Sequence, residues 1–189
     1  MLKKITRKEF KQLYRKHIIK DFPKLERPSC KNFIRRIEKI KEEVYIYEEE
    51  NKEKAYIILN DINDYIFITF LAVYKENRGQ GIGTKILKDL ENKFKDKKAI
   101  IIEVENPETY NSLKEKETKE RRIRFYKNLR YKVIEGLIFN TYFVQYKIMI
   151  LNLREKKIKE KEIADTIYNF YKKLVNKKDM ELIKYEIKD

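Results

Sequence analysis

Residues 65–84 read Tyr65-Ile66-Phe67-Ile68-Thr69-Phe70-Leu71-Ala72-Val73-Tyr74-Lys75-Glu76-Asn77-Arg78-Gly79-Gln80-Gly81-Ile82-Gly83-Thr84, and three of the chain's four glycines fall at its end. Tyr65 to Val73 is a near-continuous β-branched and aromatic run, as expected of a central strand buried on both faces. Ile82, Ile86, Leu87, Leu90 and Phe94 then share one helical face. A buried strand, a glycine-rich turn and an amphipathic helix, in that order, form an anion-binding design. The first helical turn has unpaired backbone donors and the positive end of the helix dipole. Glycine lets a phosphate approach those donors with no Cβ in the way. Arg78 can add charge-assisted bonds to the same group. No Gly-Lys-Ser/Thr follows at the spacing of a Walker loop. Nor is there a Gly-x-Gly-x-x-Gly followed by a strand-end acid that would read a ribose. A glycine-rich turn with no ligand is the plain alternative, and the crowding of glycines into five residues speaks against it.

Towards the N-terminus the pattern is helical. Met1 to Ile5 suits a short edge strand. Thr6-Arg7-Lys8-Glu9 is a capping-box sequence, and Phe10, Leu13, Tyr14 and His17 follow at helical spacing, so a first helix runs to about Lys20. Phe22-Pro23 ends it. Pro28-Ser29 opens a second helix with Phe33, Ile34, Ile37 and Ile40 as its stripe. Val44 to Tyr47 and Ala55 to Leu59 read as hairpin strands around a polar turn at 48–54, and 60–63 is a second turn.

Towards the C-terminus, Ala99 to Val104 is another buried strand. Pro107 to Arg122 is highly charged and helix-permissive, and Ile123 to Leu129 continues as helix. Tyr131 to Ile134 and Tyr142 to Leu151 read as a final strand pair joined near Gly136. From Lys156 to about Tyr185 the period is helical again, with Ile163, Ile167, Phe170 and Leu174 in register. The expected division is one domain over 1–151 and a helical extension over 152–189 packed on it.

Composition bounds the partners. Hydrophobic residues make up 42% of the 189, enough for a real core, and charged residues 41%. The formal net charge is +15, but Lys and Arg are interleaved with Glu and Asp and no concentrated basic arm appears. Nucleic acid is therefore a disfavoured partner rather than an excluded one, while a cofactor with several phosphates gains from the positive field. One cysteine, Cys30, and one histidine, His17, allow no intramolecular disulfide and no Cys/His metal site, so no metal is expected. Both read as structural residues. The start Met1-Leu2-Lys3-Lys4 lacks a signal-peptide core, and the apolar runs 65–73 and 142–151 are too short to span a membrane as helices. A soluble, cytoplasmic protein is the expectation.

Arg78-x-x-Gly81-x-Gly83 resembles the Arg/Gln-x-x-Gly-x-Gly/Ala signature of the GNAT superfamily of acyl-CoA N-acyltransferases. Leu71-Ala72-Val73 and Ile86-Leu87 resemble its flanks, Phe125-Tyr126-Lys127-Asn128-Leu129-Arg130-Tyr131 its Phe-Tyr-x-x-x-Gly-Phe segment, and Ile102-Glu103-Val104 its fifth strand. The element order agrees over about residues 1–150. The resemblance implies an α/β (α+β) fold with a central, mixed but mainly antiparallel sheet, splayed between its fourth and fifth strands and flanked by helices, here with an additional C-terminal helix. It implies acetyl-CoA as co-substrate, held by Leu71, Ala72, Val73, Arg78, Gly79, Gln80, Gly81, Ile82, Gly83 and Thr84, with the pantetheine arm paired to the backbone of Leu71 and Val73. A primary amine, on a small molecule or a peptide, would attack the thioester directly.

In that scheme Val73 supplies a backbone donor to the oxyanion, and Tyr126 matches the family's tyrosine as general acid for the leaving thiolate. The alternative for Tyr126 is a packed aromatic. Glu103 shares a strand face with Ile101 and Glu105 and is either the base or a carboxylate at a surface edge or paired with Arg121 or Arg122. Two departures stand out: Lys119 where the family often has an asparagine, and Arg130 where it has a glycine. The segment 107–122 is either a lid or a longer helix. The rival classes are a non-enzymatic nucleic-acid-binding protein and a CoA-binding regulatory module. Monomer and homodimer are both open.

Overall fold

A computed structural model describes residues 1–24, 26–154 and 157–188. It shows a mixed α/β fold built on an eight-stranded, mostly antiparallel sheet. The strand order is β1 (Leu2–Lys4), β2 (Glu43–Glu49), β3 (Lys52–Ile62), β4 (Tyr65–Val73), β5 (Ala99–Glu105), β7 (Val144–Asn152), β6 (Lys132–Thr141) and β8 (Ile183–Ile187), with β4 and β5 parallel. The chain divides into two compact units, Met1–Asp61 with Ile68–Phe94, and Ile62–Phe67 with Lys95–Asp189. Strand β4 (Tyr65–Val73) contributes its first residues to the second unit and the rest to the first.

In the first unit, β1 (Leu2–Lys4) pairs antiparallel with β2 (Glu43–Glu49), and β2 with β3 (Lys52–Ile62). The β2–β3 turn is tighter than the sequence suggests. Only Glu50 and Asn51 lie outside the strands, both at positive φ (53° and 58°), the geometry a two-residue hairpin needs to match strand twist. Helix α1 (Arg7–Leu13) starts on the expected capping box: the Thr6 hydroxyl accepts from the Glu9 amide, and the Glu9 carboxylate accepts from the Thr6 amide at 2.7 Å. It then passes into a π-helical turn (Tyr14–Ile18) and a last short turn (Ile19–Asp21). Helix α2 (Cys30–Ile40) is capped by Ser29. Phe10, Leu13, Tyr14 and Ile18 of the first helical run and Phe33 and Ile34 of α2 form one core with Val44, Tyr56, Ile58, Phe70 and Tyr74. An ionic knot sits in the same unit: Glu42, 3% exposed, accepts from Arg36, Asn60 and Thr69 on one carboxylate oxygen. Removing one partner of such a buried pair costs far more than the pair contributes. Helix α3 (Ile82–Lys93) buries Ile82, Ile86, Leu87 and Leu90, the stripe read from the sequence.

In the second unit, β5 (Ala99–Glu105) pairs antiparallel with β7 (Val144–Asn152) along its whole length, from Ala99↔Asn152 to Glu105↔Tyr146. Strand β7 pairs with β6 (Lys132–Thr141), and β6 with β8 (Ile183–Ile187). Helix α4 (Leu113–Asn128) takes up the charged segment as a longer helix, capped by Ser112. The Phe-Tyr segment ends it, and Arg130 adopts φ 67°, the left-handed conformation that a glycine in its place would take without strain.

Two details differ from expectation. Gly136 does not join the last strands. It lies inside β6 at φ +77°, beside the register irregularity between Val133 and Ile138, and the hairpin turn falls at Tyr142 and Phe143. A Cβ on Gly136 would stand 2.3 Å from the Lys188 carbonyl oxygen, so the glycine is there for close approach of the chain's end, not for a turn. The C-terminal helix is also shorter. Helix α5 (Glu160–Leu174) gives way at Val175 to extended backbone, Asn176 caps a short α6 (Lys177–Met180), and β8 follows. The free edge of β6 offers β8 the backbone partners that helical periodicity cannot reveal. The helix start expected at Lys156 lies outside the described residues. Helix α5 buries Ile163, Ala164, Ile167 and Phe170, with Phe170 edge-on to Phe67 at 5.1 Å.

Candidate active site

The glycine-rich loop leaves β4 after Val73. Tyr74 is buried, and its carbonyl accepts from the Asn77 amide at 2.8 Å, starting a 3-10 turn over Lys75–Asn77. Gly79 and Gly81 follow at φ +76° and +74°. Gly81 is the N-cap of α3, and no side chain caps the helix there. The first-turn amides thus have neither an intrahelical acceptor nor a capping side chain. A Cβ placed on either Gly79 or Gly81 would meet nothing within 4 Å. The glycines are therefore required by backbone conformation, and the space they face is open. An uncapped helix N-terminus with open approach fits an anion such as a diphosphate.

Two side chains of the motif turn inward on the loop itself. The Arg78 guanidinium donates from Nε to the Val73 carbonyl at 3.0 Å and pairs through a terminal nitrogen with Asp21 at 3.3 Å. Gln80 donates to the Glu76 carbonyl at 3.2 Å. Arg78 thus staples the loop in this structure. Leu71, Ala72 and Val73 are half-buried at the end of β4, Ile82 is buried, and Gly83 and Thr84 are half-buried in the first turn of α3. All ten residues expected at the cofactor belong to the first unit.

Glu103 and Tyr126 belong to the second unit and have different surroundings. Tyr126 is 5% exposed, packed edge-on to Phe125 at 5.0 Å and tilted against Tyr131 at 5.6 Å. Burial pushes its phenol up to about 12, with the Arg122 cation pulling slightly the other way. It is protonated at neutral pH and so able to donate. Glu103 accepts a hydrogen bond from the Tyr171 hydroxyl of α5 at 2.7 Å. Burial first, then the Glu103 carboxylate, hold the Tyr171 phenol well above the ordinary tyrosine range. On the same strand face Glu105 pairs with Arg122.

Lys119 is 6% exposed, donates to the Thr109 carbonyl and pairs with Glu115 at 2.7 Å. It fastens the 106–112 loop to α4. Asn106, also buried, pairs with Gln145 of β7. The sequence reading passed over Asp21 and Tyr171. Tyr171 could have been found, since it stands four residues after Ile167 on the buried stripe of α5. Asp21 could not, because its direction depends on the π-helical turn before it. His17 stacks flat on Tyr74 at 3.6 Å, and burial lowers its pKa, which keeps its structural reading. Cys30 is a free cysteine at the start of α2. Among the described residues no group of three or more His, Cys, Asp or Glu could hold a metal ion, and no helix is long and apolar enough to cross a membrane.

Comparison with known proteins places this geometry. The family model described as "Acetyltransferase (GNAT) domain" matches residues 41–133, which span β2 to the start of β6 and include the whole glycine loop. Those residues form a GNAT acetyltransferase domain. A curated relative, "Putative acetyltransferase YjbC" of Bacillus subtilis (strain 168), is 27% identical over 74% of this chain and 71% of its own. Among solved structures, a "Putative acetyltransferase from GNAT family" of Bacteroides thetaiotaomicron superposes with a TM-score of 0.73 at 18% identity, covering 91% of this chain and 94% of that one. A GNAT family acetyltransferase of Elizabethkingia anophelis, whose structure holds acetyl-CoA, superposes with a TM-score of 0.56 at 16% identity, over 80% of this chain and 97% of that one. At these identities the structural likenesses establish the GNAT fold, and the glycine loop of this GNAT domain stands where its own sequence motif lies.

Proposed function

We propose that this GNAT protein is an N-acetyltransferase that moves an acetyl group from acetyl-CoA to a primary amine of a small molecule or peptide. The observation that carries the proposal is the uncapped N-terminus of α3 behind Gly79 and Gly81, whose open face suits the pyrophosphate of that co-substrate. The acetyl-CoA seen in the Elizabethkingia relative supports the choice of co-substrate.

The amides of Gly79 to Thr84 would hold the pyrophosphate, and Leu71 to Val73 would pair with the pantetheine arm. Acetyl-CoA supplies the activated acyl group as a thioester. The neutral amine forms the new C–N bond as the C–S bond breaks, and the amine's surplus proton passes to a base, for which Glu103 is the candidate. Tyr126, protonated at neutral pH, is the candidate donor to the departing thiolate. Residues 1–151 would carry the transfer, with 152–189 as an extension whose Tyr171 reaches Glu103.

The test is calorimetric titration with acetyl-CoA, followed by thiol release in the presence of a panel of primary amines. Micromolar binding and amine-dependent thiol release are expected. Absence of acetyl-CoA binding by the folded protein would overturn the proposal. Binding without thiol release for any amine class would reduce it to a CoA-binding module.

A further inference from the structure

The last turns of the first helical run grip the glycine loop at two points. His17, in the π-helical turn, stacks on Tyr74, the first residue after β4, with centroids 3.6 Å apart and planes within 6°. Four residues later Asp21 closes the run. One of its carboxylate oxygens pairs with Arg78 at 3.3 Å, and the other accepts from the hydroxyl of the fully buried Tyr56 on β3 at 3.2 Å. The Asp21 side chain is 13% exposed, whereas Arg78 is 58% exposed, so the carboxylate is the fixed partner and the guanidinium the one being held. Arg78 in turn holds the Val73 carbonyl. Asp21 therefore stands at the head of a chain of contacts running from β3 through Asp21 and Arg78 to the last residue of β4.

The π-helical turn makes this possible. A turn with i→i+5 bonding carries an extra residue, which rotates everything after it by about 100° relative to an α-helix. Without it, Asp21 would not face Tyr56 and Arg78.

We propose that Asp21 is a positioning residue for the glycine loop, acting through Arg78 to hold the α3 N-terminus in its anion-receiving conformation. This rests on the reading of that loop as the acetyl-CoA pyrophosphate site. Asp21 does not touch the co-substrate in this scheme. Its carboxylate fixes where the guanidinium sits, and so how Gly79 and Gly81 present their amides.

The experiment is a double-mutant cycle on acetyl-CoA affinity, by calorimetry, with wild type, D21N, R78M and D21N/R78M. D21N keeps an acceptor for Tyr56 and loses the charge held on Arg78. It is expected to weaken acetyl-CoA about fivefold, the upper range for an exposed pair, raising KM for acetyl-CoA while kcat stays within about twofold. In the R78M background the same change should have no further effect. Wild-type protein that does not bind acetyl-CoA defeats the site reading, not the positioning role specifically. Wild-type binding with D21N equally tight, or tighter, overturns the proposal, as does an equal loss with and without Arg78. Circular dichroism checks the fold of each variant, and D21S reads the same loss should D21N fold poorly.

Discussion

Replacing Gly81 by alanine separates the backbone's demand for glycine from the ligand's. The residue sits at φ +74°, where an L-residue with a Cβ costs about 1–2 kcal/mol. No steric cost adds to this, because nothing lies within 4 Å of the new methyl. For a chain of this size about 1 kcal/mol shifts Tm by roughly 2–4 °C, so a loss of about 2–8 °C is expected in a thermal melt. The effect on acetyl-CoA should be larger. Each backbone hydrogen bond to a charged phosphate contributes about 1.5–3 kcal/mol, and a methyl in the open approach displaces the phosphate from at least one of them. Affinity should therefore fall by about tenfold or more. Calorimetry on G81A beside its melting curve measures both. A variant that melts lower yet binds acetyl-CoA within about twofold of wild type would refute the reasoning, since the phosphate would then not approach Gly81.

Tyr126→Phe should lower kcat by about 100-fold, the lower range for general acid catalysis, and leave KM for acetyl-CoA nearly unchanged; an unchanged kcat at saturating substrate removes the acid role. Gly136→Ala should destabilise strongly, because strain at φ +77° adds to a Cβ contact of 2.3 Å with the Lys188 carbonyl; hydrogen exchange should show β8 opening first, and a melt within about 2 °C of wild type would contradict the placement of that strand. Stability should also fall at high pH. Tyr126 is pushed up to about 12, and burial raises Tyr56, Tyr74, Tyr45 and Tyr65 as well. A raised phenol favours the folded state fully below its unfolded value of about 10 and loses that contribution as pH rises towards the folded value. Urea midpoints should be flat from pH 7 to about 9.5 and drop steeply above about 10. A flat midpoint to about pH 11.5 would show that these phenols are not protected.

The sequence by itself determined the features written in local pattern. The capping box of α1, the stripe of α3, the strand β4 and the glycines at 79 and 81 each depend on neighbours a few residues apart, and the structure places them as read, except that the end of β4 from Leu71 to Val73 is only half-buried. The family signature is local in the same way, so the GNAT assignment was legible from one chain. Tertiary structure decided what depends on distant partners. Gly136 reads as a turn until Lys188 is seen against it. The end of the chain reads as helix until β6 offers an edge that β8 can pair with. Arg78 reads as a phosphate ligand, and only the fold shows that it also holds the Val73 carbonyl and Asp21. Glu103 reads as a base or as a partner for arginine, and only the fold brings the Tyr171 hydroxyl of α5 to it. In each case periodicity and turn chemistry fix the backbone of a segment, while the choice among side-chain partners is made by whichever group the fold brings within about 3 Å.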